Sequence, residues 1–127
     1  MNHIILLFGA IFGMLAVIFG AFGAHALKKR LNSDQLKSFE TGVKYQMYHA
    51  IVLLVIGFNL TNLSPFILIS FVLGIFLFSF SIYGLVLSDS IEKKLKFLGP
   101  ITPLGGLFLI IGWALLLYEF LVQAKFI

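Results

Sequence analysis

The chain has 127 residues, 61% of them hydrophobic and 11% charged, with a net charge of +4. A soluble domain carries roughly 45–50% apolar and about 25% charged residues, so the solvent this chain is built for is lipid. It has no cysteine, which excludes disulfides, thiolate nucleophiles and Cys-ligated metal, and its few basic residues flank apolar runs, a membrane-surface pattern and not a nucleic-acid one.

Residues 1–127 read as one membrane domain. A spanning helix needs about 20 mostly apolar residues, and four windows meet that need: 3–27, 42–60, 65–87 and 103–122. The first contains Ala24-His25-Ala26, which matches a signal-cleavage pattern. No Lys or Arg precedes it, and the apolar run is far longer than the 7–15 or so residues of a leader, so it is expected to stay as a span. Gly9, Gly13, Ala16, Gly20 and Gly23 recur at alternating steps of four and three and share one face. Small residues let helices approach closely in lipid, so this stripe is expected to be a packing seam.

Leu27-Lys28-Lys29-Arg30-Leu31 closes the first span. Asn32 or Ser33 suits an N-cap, with Asp34 in the first turn at the positive end of the helix dipole. Leu36, Phe39 and Val43 then recur at helical spacing, with Lys37, Glu40 and Lys44 on another side. This predicts a short amphipathic helix at the headgroup level that bends or runs into the second span. The second span opens unusually: Thr41 to Ala50 crowds a Lys, two Tyr, a Gln and a His into one run before pure hydrocarbon begins. Polar side chains in a membrane are costly and usually face a protein interior.

A tight turn, 59–65, comes next, with Ser64 as N-cap and Pro65 at the first helical position. It holds two glycosylation sequons, at Asn59 and Asn62, too near the membrane to carry weight. The third span is Phe-rich, with Ser70, Gly74, Ser81 and Gly84 on one stripe and Tyr83 near its end. After a charged loop, Thr102 suits a cap and Pro103 a first turn of the fourth span, while Gly105 and Gly106 permit close approach. Trp113 falls near the middle of that span and reads as packing.

The basic residues orient the chain. Lys28, Lys29, Arg30, Lys37 and Lys44 flank the first connection and Lys93, Lys94 and Lys96 the third, leaving Lys125 for the rest. The positive-inside rule puts those connections in the cytoplasm and both termini outside. His25, Tyr45, Gln46, His49, Ser81, Tyr83, Thr102, Gly105 and Gly106 then come to one depth, on the cytoplasmic side, from four separate stretches. His49 is expected to point inward, with His25 and the 102–106 turn as its neighbours.

Three ordered motifs carry a family resemblance. They are Gly20-Ala21-Phe22-Gly23-Ala24-His25-Ala26-Leu27, then Thr41-Gly42-Val43 with Tyr45-Gln46-Met47-Tyr48-His49-Ala50, then Ile101-Thr102-Pro103-Leu104-Gly105-Gly106 with Gly112-Trp113. Together they resemble the small bacterial membrane-protein family called domain of unknown function 423, which has eukaryotic relatives among the small transmembrane proteins. The resemblance covers nearly the whole chain. One departure is Phe80, which stands between Ser79 and Ser81 where the family usually has Gly. The resemblance implies a multi-span protein of the bacterial plasma membrane and brings no catalytic residues.

The expected fold is therefore all-α: an integral membrane four-helix bundle with a short amphipathic interfacial helix between spans one and two. Two function classes fit it. In the first, a non-enzymatic bundle in the lipid bilayer oligomerises or partners other membrane proteins and supports membrane integrity. Its polar cluster is closed and hydrogen-bonded, with no cofactor. In the second, the cluster binds or conducts a small molecule, an ion or an anionic lipid headgroup, through a cavity open to the cytoplasm. Two His at similar depth also match axial haem ligation in a helix bundle, but each His needs only a hydrogen bond to be accounted for. A zinc hydrolase lacks a third ligand and a general base near the two His. Phosphate loops, serine elbows and nucleic-acid patterns are absent from the sequence.

Overall fold

A computed structural model describes residues 1–127, apart from the side chain of Ala24. That side chain, part of the apparent cleavage pattern and of the first family motif, lies outside the described residues. The described residues are all-helical, with no strand among them. Four long elements run through the chain. These are α1 (Asn2–Leu27), α2 (Ser33–Asn59), α3 (Pro65–Ser90) and α4 (Ile101–Gln123), the last preceded by a 3₁₀ turn at Lys96–Leu98. Three of them are long and apolar enough to cross a membrane: α1, α3 and α4 with its leading turn. Lys44, Gln46 and His49 dilute the apolar part of α2.

The helix starts obey local chemistry. Asn32 caps α2 in a reciprocal box: its side chain accepts from the Gln35 N–H at 2.8 Å, and the Gln35 side chain accepts from the Asn32 N–H at 3.0 Å. Pro65 takes the first turn of α3, where a missing N–H costs nothing. The last helix departs from expectation. It begins at Ile101 with Pro100 at the cap position, and Thr102 does not cap it, because its hydroxyl is bonded across to Ser81.

Of the two expectations for the amphipathic stretch, a bend or a run into the next span, the structure has the second. Ser33–Asn59 is one helix of 27 residues, and nothing among its residues breaks the backbone ladder between the amphipathic stretch and the apolar one. The stretch contains neither Pro nor paired Gly, the usual causes of a kink. Two wide π-helical segments do interrupt the ladders of other helices, Ile18–Gly23 in α1 and Phe76–Phe80 in α3. They lie against each other through Phe19, whose ring meets Phe80 at 6.3 Å and Tyr83 at 5.1 Å. The bulky Phe80 thus fills space between α1 and α3.

Two apolar cores result. One joins Ile5, Phe12, Leu53, Ile67, Phe71 and Leu109 across all four helices. The smaller gathers Leu31, Phe39, Ile82, Tyr83 and Val86 near the charged connections. The small-residue stripe of α1 lies along α2. A Cβ built on Gly9 would stand 2.9 Å from the Leu54 side chain, on Gly20 3.2 Å from Val43, and on Gly23 3.1 Å from Phe39. Gly13 is looser, 3.9 Å from the Ala50 Cβ, and Ala16 is buried. Gly9→Leu and Gly20→Leu are accordingly expected to destabilise the protein by about 1–3 kcal/mol through overpacking. Melting in mild detergent checks this: if both variants melt with the parent, the stripe is not a seam.

Candidate functional site

Between the two apolar cores lies a layer of polar side chains that cross-links the helices. Gln46 sits at its centre, 0% exposed. Its Nε2 donates to the Phe12 carbonyl of α1 at 2.8 Å, and its Oε1 accepts from the Tyr83 hydroxyl of α3 at 2.7 Å. One amide thus ties three helices. Beside it, the Ser79 hydroxyl donates to the Gly42 carbonyl at 2.7 Å, binding α3 to α2 again.

The links to α4 are two. Ser81 and Thr102 share a hydroxyl–hydroxyl bond of 2.6 Å. Ser81 also lies within bonding distance of the Leu77 and Phe78 carbonyls, inside the wide segment of α3. His49, 5% exposed, provides the other. The Trp113 indole N–H donates to His49 Nε2 at 3.1 Å, and His49 Nδ1 lies 2.6 Å from the Tyr45 carbonyl. An indole can only donate, so Nε2 must accept, and the proton resides on Nδ1, facing the carbonyl. The geometry selects one neutral tautomer. It also occupies the lone pair that a metal or haem iron would use. Phe71 and Trp113 enclose the ring, with centroids 5.7 Å and 6.1 Å away.

Not every residue expected at this level joins the layer. Gln46, His49, Ser81, Tyr83 and Thr102 do. Tyr45 contributes its carbonyl, but the residue is 42% exposed and its ring rests on Phe78 at 4.7 Å. His25 is exposed and does not meet His49. The antiparallel register of α1 against α2 explains its placement: Gly13 faces Ala50, Gly20 faces Val43 and Gly23 faces Phe39, so His49 is level with the middle of α1 and His25 with the start of α2. The 102–106 turn is not beside His49 either. The two glycines differ: Gly105 is buried with its Cα directly against the Leu77–Phe78 backbone, whereas a Cβ on Gly106 would find ordinary room, 3.7 Å from the Phe78 ring.

Three participants do not stand out in the sequence. Ser79 has a signal, as a second hydroxyl close to Ser81. Trp113 has one too, since a mid-span indole needs an acceptor. The Phe12 carbonyl has none, because a backbone acceptor leaves no mark on the sequence.

A groove of about 620 Å³ lies on the charged-connection side of this layer, between the start of α2, the end of α3 and the start of α4. Asp34, Gln35, Asp89 and Lys94 line its rim, and Gln35 Nε2 donates to Asp89 Oδ2 at 2.7 Å.

The model of a family described as "Protein of unknown function (DUF423)" matches residues 19–106. A UPF0382 membrane protein of Staphylococcus aureus is 40% identical over 119 residues, covering 88% of this chain and 90% of its own. The UPF0382 membrane protein YwdK of Bacillus subtilis is 39% identical, covering 89% and 92%. A UPF0382 membrane protein of Schizosaccharomyces pombe is 36% identical, covering 85% and 93%. No solved structure matches the chain.

Proposed function

The chain belongs to the DUF423 family, and from that premise we propose that it is a four-span bundle of the plasma membrane, without enzymatic chemistry, whose polar layer is a structural latch. The observation that carries this reading is closure. Among the described residues, every buried side-chain nitrogen or oxygen already has a hydrogen-bond partner within the protein. In a membrane an unpartnered polar group costs several kcal/mol, so such a layer holds helices in one register and leaves nothing over for a ligand at His49. Partners in this role are other copies or other membrane proteins, met along the apolar outer faces, and the effect is support of membrane integrity.

The span that joins α1, α3 and α4 is α2. Its 27 residues reach about 40 Å, against a hydrocarbon core of about 30 Å. Its deepest polar groups, Gln46 and His49, are turned into the protein, so the lipid does not meet them. With the basic connections in the cytoplasm, both termini lie outside. Cysteine placed at Lys125 should react with an impermeant thiol reagent in intact cells, and cysteine at Lys29 should not. Reversed labelling overturns the orientation, and labelling of both in equal measure overturns the span count. The latch has its own test. A high-resolution density map of the purified protein should show His49 and Trp113 in direct contact, and a non-protein group wedged between them would end the structural reading.

A further inference from the structure

We propose that the groove between α2, α3 and α4 holds a phospholipid whose head carries a primary ammonium group beside its phosphate, with the upper acyl carbons on Ile82, Leu85 and Val86. The proposal goes beyond the latch but rests on the four-span reading, which puts the groove where the helices leave the bilayer. Its size, about 620 Å³, falls within the range of about 300–1,000 Å³ common for ligand sites. Its lining is divided as an amphiphile is divided. Ile82, Leu85 and Val86 form the apolar part, and Asp34, Asp89 and Lys94 the charged part.

The charges decide the head. The two carboxylates come from α2 and from the end of α3, and the ammonium of Lys94 from the connection after α3. Gln35 holds Asp89 through Oδ2 alone, which leaves Oδ1 to accept from an incoming N–H. A purely anionic head would bring its phosphate to Lys94 but would also meet two carboxylates. A trimethylammonium head has no N–H to give, and it is recognised by aromatic faces, of which the groove lining has none. A primary ammonium next to a phosphate satisfies both signs with charge-assisted bonds.

The test is competitive lipid retention. The intact protein, purified in mild detergent, is offered equal amounts of phosphatidylethanolamine, phosphatidylcholine and phosphatidylglycerol, and bound lipid is read by native mass spectrometry. The expected result is about tenfold preference for phosphatidylethanolamine over either competitor, the size of one lost charge-assisted bond. Asp34→Asn with Asp89→Asn should bring the preference over phosphatidylglycerol to near one in protein that still unfolds cooperatively. Free phosphoethanolamine at the same concentration should not displace the lipid, and displacement would show that the head alone suffices and overturn the lipid assignment. Equal retention of the three lipids, or a preference that survives in the double variant, overturns the proposal. A phosphatidylethanolamine with a photoreactive upper acyl chain tests it without substitution: labelling of Ile82, Leu85 or Val86 is expected, and labelling confined to other helices overturns it. Headgroup selectivity and cysteine sidedness are separate readouts, so failure of this proposal is distinguishable from failure of the four-span reading.

Discussion

Gly105→Ala is expected to lower the melting temperature in mild detergent by about 10 °C or to prevent folding, while Gly106→Ala melts within about 2 °C of the parent. The two residues are neighbours in sequence with the same intrinsic cost of ordering, so the contrast isolates packing. A Cβ on Gly105 would fall inside the backbone of Leu77 and Phe78, which has no rotamer to give. The helices would have to separate, breaking the Ser81–Thr102 and Trp113–His49 bonds that depend on their spacing. Overpacking of this kind costs about 3 kcal/mol or more. Gly74 is a useful intermediate, because its nearest obstacle includes the Leu109 side chain, which can partly move. Equal melting of the Gly105 and Gly106 variants would show that α3 and α4 do not cross at this point.

Gln46→Leu should have the next largest effect, about 2 kcal/mol of lost stability. Leu fills similar space but removes both of the amide's bonds. The Tyr83 hydroxyl is then left buried without its acceptor, and an unpaired buried group costs about 1–3 kcal/mol. That diagnosis makes a sharper demand. Once Gln46 is Leu, Tyr83→Phe removes the stranded hydroxyl and should recover part of the loss, so the two substitutions are non-additive. Additive losses in the double variant would mean that Gln46 and Tyr83 do not act through their mutual bond.

Much of this architecture is readable from residue order, because it depends on local chemistry. Asn32 with Gln35 three residues later announces a helix start, Ser64-Pro65 another, and the glycines of α1 announce a face that packs. Gln46 and His49 stand out as polar groups ahead of a hydrocarbon run. Their partners are another matter. The sequence-based pairing of His49 with His25 assumes that the two reach one depth, and the register of α1 against α2 sets them apart, with Gly13 facing Ala50 and Gly23 facing Phe39. Thr102 reads as a cap because caps are local, and it is a cross-link because Ser81 happens to face it. Gly105 and Gly106 look alike until the crossing point of α3 and α4 is known. Each failure is a long-range fact: how two helices are staggered, and which helix lies opposite.

The bond between Trp113 and His49 has a consequence in optics. The chain has a single tryptophan, and that residue is the one whose N–H reaches from α4 to α2, with 48% of its surface still exposed. Indole emission from the unlabelled protein therefore arises at one known joint. Its colour and intensity depend on the environment of that ring, apolar on its outer side and imidazole-bonded on its inner side. Separation of α2 from α4 frees the N–H and alters the signal, while fraying at Asn2 or beyond Gln123 leaves it untouched. The protein thus carries an intrinsic gauge of whether its second and last helices are together.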